Sequence, residues 1–118
     1  MDSVNRQWLL RERPQGVVGP QHFEQVQSPM PKPDLAAGQV LLKTLMLGFD
    51  PAMRGWLEDA PSYLPPVAIG APMRASGVGQ VIESDNPALP VGTLVQGLMN
   101  WQEYSVGDPD SQIPPTAL

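Results

Sequence analysis

The sequence predicts one mainly β domain, folded as a barrel or a sandwich of short strands. Short apolar or alternating runs are separated by turn residues throughout, and the 118 residues include 15 prolines and 11 glycines. Regular short strands between glycine and proline corners are typical of barrels and sandwiches. The length fits one domain. With 42% hydrophobic and 16% charged residues, the composition is that of a folded protein rather than a disordered tail.

The charge balance and the missing residue types exclude several classes of function. The formal net charge is −5, and an acidic surface repels phosphate backbones, so we expect no nucleic-acid partner. The absence of cysteine excludes disulfides, four-thiolate zinc sites and cysteine nucleophiles. A catalytic triad would have to use His22, the single histidine, and no Gly-x-Ser-x-Gly turn accompanies it. No apolar run is long enough to span a bilayer and no secretion signal is present, so we expect a cytoplasmic protein.

Several segments are predicted as strands, because apolar and polar residues alternate in them or because the run is apolar throughout. They are residues 5–13, 22–27, 40–47, 73–84, 93–97 and 101–106. In the first segment Trp8 and Leu10 share one face, and we expect Trp8 to lie in the core. In the second segment the alternation favours His22 as an exposed strand residue.

The third and fourth predicted strands carry features beyond alternation. Residues 40–47 contain a single charge, Lys43, so we expect burial on both faces for most of their length. A helix is the alternative, but the flanking glycine and proline residues favour a strand. Gly77 and Gly79 in the fourth strand lie on one face and remove side chains from it, so we expect close packing or a bend there. The strand continues after them, which argues against a phosphate-binding glycine loop.

The chain is organised around a corner at residues 48–57, where the third strand stops at Gly-x-Asp-Pro. Proline has no amide hydrogen, so the strand cannot continue, whereas Asp50 can cap a helical turn with Pro51 in its first position. That turn carries Met53, Arg54 and Trp56. Corners of this kind often present side chains to a ligand. The alternative is a tight connection with Trp56 in the core.

The order of these segments resembles the N-terminal, GroES-like domain of the medium-chain dehydrogenase/reductase superfamily. Within it, the chain is most similar to the zinc-independent branch of alkenal double-bond reductases and prostaglandin or leukotriene reductases. The corner reads Asp-Pro-Ala-Met-Arg-Gly, where the family has Asp-Pro-Tyr-Met-Arg-Gly. The resemblance covers about the whole chain and rests on residues 6–16, 38–44, 50–55, 79–84, 89–97 and 101–104.

This resemblance implies a GroES-like, partly open β-barrel with short helical turns, on the substrate side of an NADP(H)-dependent oxidoreductase. Such enzymes reduce the C=C bond of α,β-unsaturated aldehydes and ketones, or quinones, by hydride transfer. Zinc-dependent members of the superfamily carry their zinc ligands at the positions of residues 48–51 and 69–72, and this chain has none there. Hydrogen bonds would therefore polarise the substrate carbonyl without a metal. Ala52 stands where the family has a tyrosine whose hydroxyl could donate to the substrate carbonyl, and alanine cannot donate. Tyr63 or Tyr104 could take over this role. The proton donor therefore stays open and the catalytic residues stay unknown.

The resemblance also divides the chain. Residues 1–108 would form the substrate-side domain, and residues 109–118 a linker toward a Rossmann domain that binds NADP(H) and has no counterpart here. We therefore expect the isolated chain to be inactive. Its parent protein would act on a small apolar enone, enal or quinone, with no nucleic acid or membrane as partner and a homodimer as one option.

The family signature places the corner beside the nicotinamide, and the proline-rich loop with Tyr63 and the aromatic and thioether cluster of Met99, Trp101 and Tyr104 supply further candidates. Cofactor contacts would come from Asp50, Pro51, Met53 and Arg54. Substrate contacts would come from Met53, Trp56, Tyr63, Met99, Trp101 and Tyr104. Each has a structural alternative: Arg54 can pair with Asp50, Tyr63 can pack within its loop, and the last three can be core. No residue is assigned to a metal.

Two other classes of function stay open. A stand-alone β-barrel binding or protein-interaction module fits the fold and the missing cofactor domain, although no long loop with an apolar motif is present. A small hydrolase is the second, and it lacks a nucleophile turn.

Overall fold

The computed structural model describes residues 4–49, 53, 56–57, 66–111 and 114–118, and it confirms the mainly β fold. The strands in these ranges are β1 (Val4–Leu10), β2 (Phe23–Pro29), β3 (Val40–Leu47), β4 (Ser76–Ser84), β5 (Leu94–Leu98), β6 (Tyr104–Gly107) and β7 (Thr116–Ala117). Short 3-10 turns are Pro20–His22 and Leu35–Ala37. No helix within the described ranges is long and apolar enough to cross a membrane.

The described strands form two antiparallel sheets that are joined through two segments, residues 70–73 and 101–103, both of which pair with β1. β1 pairs with β2, and the other sheet has the order β6-β3-β4-β5-β7. Residues 101–103 pair with the free edge of β1: the Trp8 N–H donates to the Trp101 carbonyl at 2.8 Å, and the Glu103 N–H donates to the Arg6 carbonyl at 3.1 Å. The chain then enters β6 and pairs with β3. This passage from one sheet to the other produces the partly open barrel.

The two glycines of β4 allow β3 to approach closely, as predicted. A β-bulge interrupts the β3–β4 register between Thr44 and Met46. A Cβ atom at Gly77 would collide with the Met46 carbonyl oxygen, and one at Gly79 would lie 2.7 Å from the Met99 sulfur. Glycine is therefore required at position 77, where the neighbour is backbone, whereas at position 79 a side chain would have to displace the Met99 thioether.

Two groups of buried side chains form the core. The hairpin-side cluster lies between the β1–β2 hairpin and the corner, and the partly buried Phe23, Leu47, Ala71 and Trp101 pack against it. It consists of Leu10, Met53, Trp56, Leu57, Val67, Met73 and Ala75. The sheet cluster lies on the five-stranded sheet and consists of Val40, Leu42, Val81, Leu89, Val95 and Met99.

The prediction that β3 is buried on both faces is wrong for its second half. Leu45 is 47% exposed and Met46 is 67% exposed. β6 pairs with β3 only from Val40 to Lys43, so the end of β3 extends beyond that neighbour. Burial of an apolar run depends on what covers it, and the run itself does not encode this.

The predictions for Trp8 and His22 are also wrong. Trp8 is 44% exposed instead of belonging to the core: it shares a face of β1 with the buried Leu10 and the exposed Arg6, and it lines an open groove beyond the hairpin-side cluster. His22 is buried at the end of a 3-10 turn, where its Nδ1 accepts a hydrogen bond from the Gly19 N–H at 2.9 Å. The remaining predicted strands are present with ends that differ by a few residues.

The C-terminal segment contributes to the second sheet. β7 pairs with the outer edge of β5 through Ala117 with Val95 and Thr116 with Gln96. Part of the stretch predicted as a linker therefore lies on the sheet. The division of the chain at residue 108 stays a prediction.

Candidate functional site

An open groove of about 780 Å³, the hairpin groove, lies along the face of the β1–β2 hairpin that carries Trp8 and Phe23. Alternation along a strand places side chains on opposite faces, so residues two apart share a face. Three adjacent segments thereby supply its floor: Arg6, Trp8, Phe23, Gln25, Trp101 and Glu103. Residues 18–20 form one wall, and Thr44, Leu47 and Phe49 form the other.

Aromatic rings dominate this groove. Phe23 and Trp101 are in tilted contact, with ring centroids 4.9 Å apart and an angle of 41° between the planes. Trp8 lies on the same face of the hairpin as Phe23, diagonally across the β1–β2 pairing, with nearly half of its surface exposed. Phe49 is almost fully exposed where β3 ends. The groove therefore offers ring faces and edges to an apolar ligand.

The backbone holds Trp101 and Trp8 in place. Asn100 has a φ of +61°, a left-handed conformation that asparagine tolerates better than most residues. Its N–H donates to the Ala75 carbonyl at 2.9 Å, and its Oδ1 accepts from the Ala75 N–H at 3.2 Å. The Trp101 N–H donates to the Met73 carbonyl at 2.9 Å, and the Met73 N–H donates to the Trp8 carbonyl at 3.1 Å. These bonds join three chain segments around the two indole rings.

A buried amide network fixes the same segment from the opposite face of the hairpin. The almost fully buried Asn5 donates from its Nδ2 to the Gln102 Oε1 at 3.1 Å and to the Tyr104 carbonyl at 3.0 Å. Its Oδ1 accepts from the Tyr104 N–H at 2.9 Å. The Gln7 Nε2 donates to the same Gln102 oxygen at 2.9 Å. Buried polar groups that are fully satisfied in this way specify one arrangement.

Arg6 and Glu103 form a two-pronged ion pair beside the groove. The Arg6 Nε donates to Glu103 Oε1 at 2.9 Å, and a terminal nitrogen donates to Oε2 at 3.0 Å. The side-chain hydrogen bond from Arg6 lowers the pKa of the Glu103 carboxyl below its usual value of 4.5, and partial burial opposes this. The same bond and the negative charge of Glu103 raise the pKa of Arg6. Near neutral pH both groups are charged and cancel each other.

Two polar atoms of groove residues are buried without a hydrogen-bond partner among the described residues. They are the Thr44 hydroxyl and the Trp101 indole N–H. Burying an unsatisfied polar group costs about 1–3 kcal/mol. Both residues also anchor the segment through the backbone, since the Thr44 N–H donates to the Glu103 carbonyl at 2.7 Å. The Thr44 hydroxyl and the Trp101 indole N–H therefore lower the stability of the folded chain.

The structure brings one of the predicted site residues, Trp101, to the groove. Met53 and Trp56 are buried in the hairpin-side cluster, and that cluster packs against the inner side of Phe23, Leu47 and Trp101. The Arg74 guanidinium lies 5.3 Å from the centre of a Trp56 ring. Met99 is fully buried in the sheet cluster, and Tyr104 is half-buried at the start of β6. Asp50, Pro51, Arg54 and Tyr63 lie outside the described residues.

Comparison with known proteins shows to which protein family this chain belongs. A family model described as the N-terminal domain of oxidoreductase matches residues 6–114. The chain belongs to this family. It is 40% identical over 109 residues to the NADPH-dependent curcumin reductase of Escherichia coli, covering 92% of this chain and 31% of that protein. It is 38% identical over 74 residues to a 2-alkenal reductase (NADP(+)-dependent) of Nicotiana tabacum, covering 62% of this chain and 22% of that protein.

Solved structures agree with this assignment. The fold superimposes on the crystal structure of CurA from Vibrio vulnificus with a TM-score of 0.83 at 38% identity, covering 92% of this chain and 32% of that one. For CurA in complex with NADPH the TM-score is 0.80 at 35% identity, with 93% and 32% covered. The chain thus spans about a third of the length of the relatives it matches. The resemblance seen in the sequence is confirmed at the level of family and fold.

Sequence reasoning missed most of the groove. Arg6, Trp8, Phe23 and Phe49 were not assigned to a site, although all four line it. The local signal for Trp8 was divided, because the charged Arg6 and the apolar Leu10 each lie two residues away and share its face. The other signals are non-local, because β1 meets residues 101–103 only in the folded chain.

The groove does not fit the phosphates of a dinucleotide. Arg6 is the one cation among its described lining residues, and Glu103 already neutralises it. Phosphate groups need helix N-termini, glycine-rich loops or unpaired cations, and the described lining offers none of these. Within the described ranges, no three His, Asp or Glu side chains are close enough to share a metal ion.

Proposed function

We propose that this chain is the substrate-side domain of an NADP(H)-dependent oxidoreductase that reduces the C=C bond of α,β-unsaturated aldehydes and ketones, or quinones, without a metal. The family match over residues 6–114 carries this proposal. The names of the relatives, a curcumin reductase and a 2-alkenal reductase, point to conjugated carbonyl substrates. The size and apolar character of the hairpin groove suit such a ligand.

In this proposal the chain binds and orients the substrate, and the rest of the parent protein binds NADP(H). The cofactor, when bound there, supplies a hydride. The corner at residues 48–57 remains the proposed contact to the nicotinamide end, through Asp50, Pro51, Met53 and Arg54. Trp56, Tyr63, Met99, Trp101 and Tyr104 remain the proposed substrate contacts beside Met53, and the groove supports Trp101 among them.

A chimera tests the proposal. Residues 6–114 would replace the matching N-terminal region of the Escherichia coli curcumin reductase, which is 40% identical over 109 residues. We expect consumption of NADPH with benzylideneacetone or nonenal, and the saturated carbonyl product by mass spectrometry. The recipient lacking its N-terminal region, and this chain alone, serve as controls and are expected to be inactive.

One result would contradict the proposal. It is a folded chimera that binds NADPH and reduces none of a panel of enals, enones and quinones. A binding module would then be the better description of the chain.

A further inference from the structure

Trp8 differs from Phe23, the other aromatic residue of the hairpin, in being exposed rather than partly buried. Both its N–H and its carbonyl are in backbone hydrogen bonds to segments outside the hairpin, at 2.8 Å to Trp101 and 3.1 Å to Met73. The backbone beneath the indole is therefore already ordered, and a ligand that packs on Trp8 pays no cost for ordering the main chain there.

The three rings of the groove floor occupy adjacent strands. Phe23 is on β2, Trp8 is on β1, and Trp101 is on the segment that pairs with the far edge of β1. Phe23 and Trp101 already touch, with centroids 4.9 Å apart, and are partly buried. Trp8 extends this aromatic surface toward solvent, away from the hairpin-side cluster. The three rings together thus offer a ligand a larger aromatic surface than Trp101 alone.

The charges of the floor select against ionic ligands. Arg6 and Glu103 are the charged side chains among the described lining residues, and they bind each other through two hydrogen bonds. An anionic ligand would lie against Glu103 or compete with it for Arg6, at a cost that is modest because the pair is exposed. A neutral ligand needs neither. The volume of about 780 Å³ is within the range of small-molecule sites.

We propose that Trp8, Phe23 and Trp101 form a subsite for a neutral, planar aromatic group, and that Trp8 determines the preference for aromatic over aliphatic ligands. The subsite deepens the proposed function and rests on it for the statement that the aromatic group belongs to a substrate. Binding itself involves only this chain. In the parent enzyme, the subsite would hold the aryl arm of an aryl enone while its conjugated carbonyl extends toward the corner.

Ligand titration of the 118-residue chain tests the subsite without any cofactor. The probes are benzylideneacetone, the aliphatic nonenal and the anionic cinnamate. Trp8→Ala is expected to weaken benzylideneacetone binding by about 3- to 10-fold, because one aromatic contact is lost. Nonenal binding is expected to change by less than about twofold, and Trp8→Phe to restore most of the aromatic affinity. Cinnamate is expected to bind the wild-type chain more weakly than benzylideneacetone.

Control variants separate the subsite from general effects on folding. Val4→Ala changes a residue of β1 that is 43% exposed and does not line the groove, and it is expected to leave binding unchanged. Val18→Glu places a carboxylate in the groove wall and is expected to weaken benzylideneacetone binding roughly tenfold. Val17→Glu makes the same substitution at the neighbouring residue, which is 93% exposed, and is expected to have no effect.

The outcomes test the aromatic subsite separately from the proposed reductase activity. Equal benzylideneacetone affinity in Trp8→Ala and wild type, or equal losses from Val17→Glu and Val18→Glu, would overturn the subsite, even if the chimera is an active reductase. Aromatic binding that depends on Trp8 supports the subsite, even if the chimera is inactive and the proposed reaction fails. If Trp8→Ala does not fold, Trp8→Leu, which keeps an apolar side chain without the ring, takes its place, and unchanged benzylideneacetone affinity in that variant would overturn the subsite.

Discussion

The two core clusters differ in composition and in how far they are closed to solvent. The sheet cluster is built from aliphatic residues and methionine, all buried between β3, β4 and β5 and the turn after β4. The hairpin-side cluster contains Trp56 and borders the partly exposed Phe23 and Trp101, beyond which the groove begins. Leu47 packs against both clusters and lines the groove. The sheet cluster is thus shielded from solvent, whereas the hairpin-side cluster borders an open aromatic surface.

The difference indicates where stability and binding reside. A sealed aliphatic core contributes free energy of folding in proportion to the apolar area it removes from water. An aromatic surface left open contributes less to folding and retains area for a ligand. Substitutions in the sheet cluster should therefore act on stability, and substitutions on the groove should act on binding.

The largest effect is expected from a truncation in the sheet cluster. Leu42→Ala should lower the free energy of unfolding by about 2–5 kcal/mol, because it removes a buried side chain and leaves a cavity. Leu45→Ala on the same strand should cost at most about 1 kcal/mol, because Leu45 is already half exposed. Urea denaturation of both variants provides the measurement. Equal losses would mean that β3 is covered along its whole length.

A glycine substitution tests the close approach of β3 and β4. Gly77→Ala should destabilise the chain by about 1–3 kcal/mol or more, because the new Cβ meets a backbone oxygen that cannot rotate away. Gly48→Ala is the control, since its nearest neighbour beyond the adjoining residues is 3.5 Å away. Thermal unfolding of the two variants should differ clearly. A harmless Gly77→Ala substitution would contradict the bulge at this point.

A third substitution should raise stability on the groove side. Thr44→Val keeps the shape of the side chain and removes a buried hydroxyl without a partner, so we expect a gain of about 1 kcal/mol. Thr93→Val is the opposite control, because the Thr93 hydroxyl donates to the Pro90 carbonyl at 2.7 Å and its loss should destabilise. If Thr44→Val were destabilising, the hydroxyl would have a partner after all.

The smallest effect concerns the ion pair beside the groove. Because the pKa of Glu103 is lowered in the folded chain, its contribution is present above its usual value of 4.5 and is lost as the pH falls through the folded value. The stability difference between wild type and Glu103→Gln should therefore shrink on acidification. Urea denaturation at a series of pH values measures it. A difference that is constant across this range would exclude the pair as its source.

Local sequence signals were sufficient to predict where the strands lie in the chain. They were insufficient to predict which strand residues are covered by other parts of the fold. Val40–Leu47 has the predicted bounds, because glycine stands just outside each end and Pro51 follows. The exposure of Met46 was missed, since it depends on where β6 ends. His22 was placed in a strand because alternation does not distinguish a strand from a turn leading into one.

The groove was beyond prediction for a similar reason. Its floor is assembled by pairing β1 with residues 101–103, which are distant in the sequence, and no local pattern specifies that pairing. Trp101 was proposed as part of an aromatic and thioether cluster with Met99 and Tyr104, of which the groove contains Trp101. Trp8 was assigned to the core because tryptophan is usually well buried, and the polar residue sharing its face was not weighed against that tendency.

The most direct test of this division is residue-resolved NMR of the chain during titration with benzylideneacetone. We predict that chemical-shift changes concentrate on the groove, including the indole N–H groups of Trp8 and Trp101 and the backbone N–H of Gln25. The N–H groups of Val81 and Val95 in the sheet cluster should stay unchanged. Changes centred on β5 and β7, or no saturable change anywhere, would contradict the assignment of ligand binding to the hairpin groove.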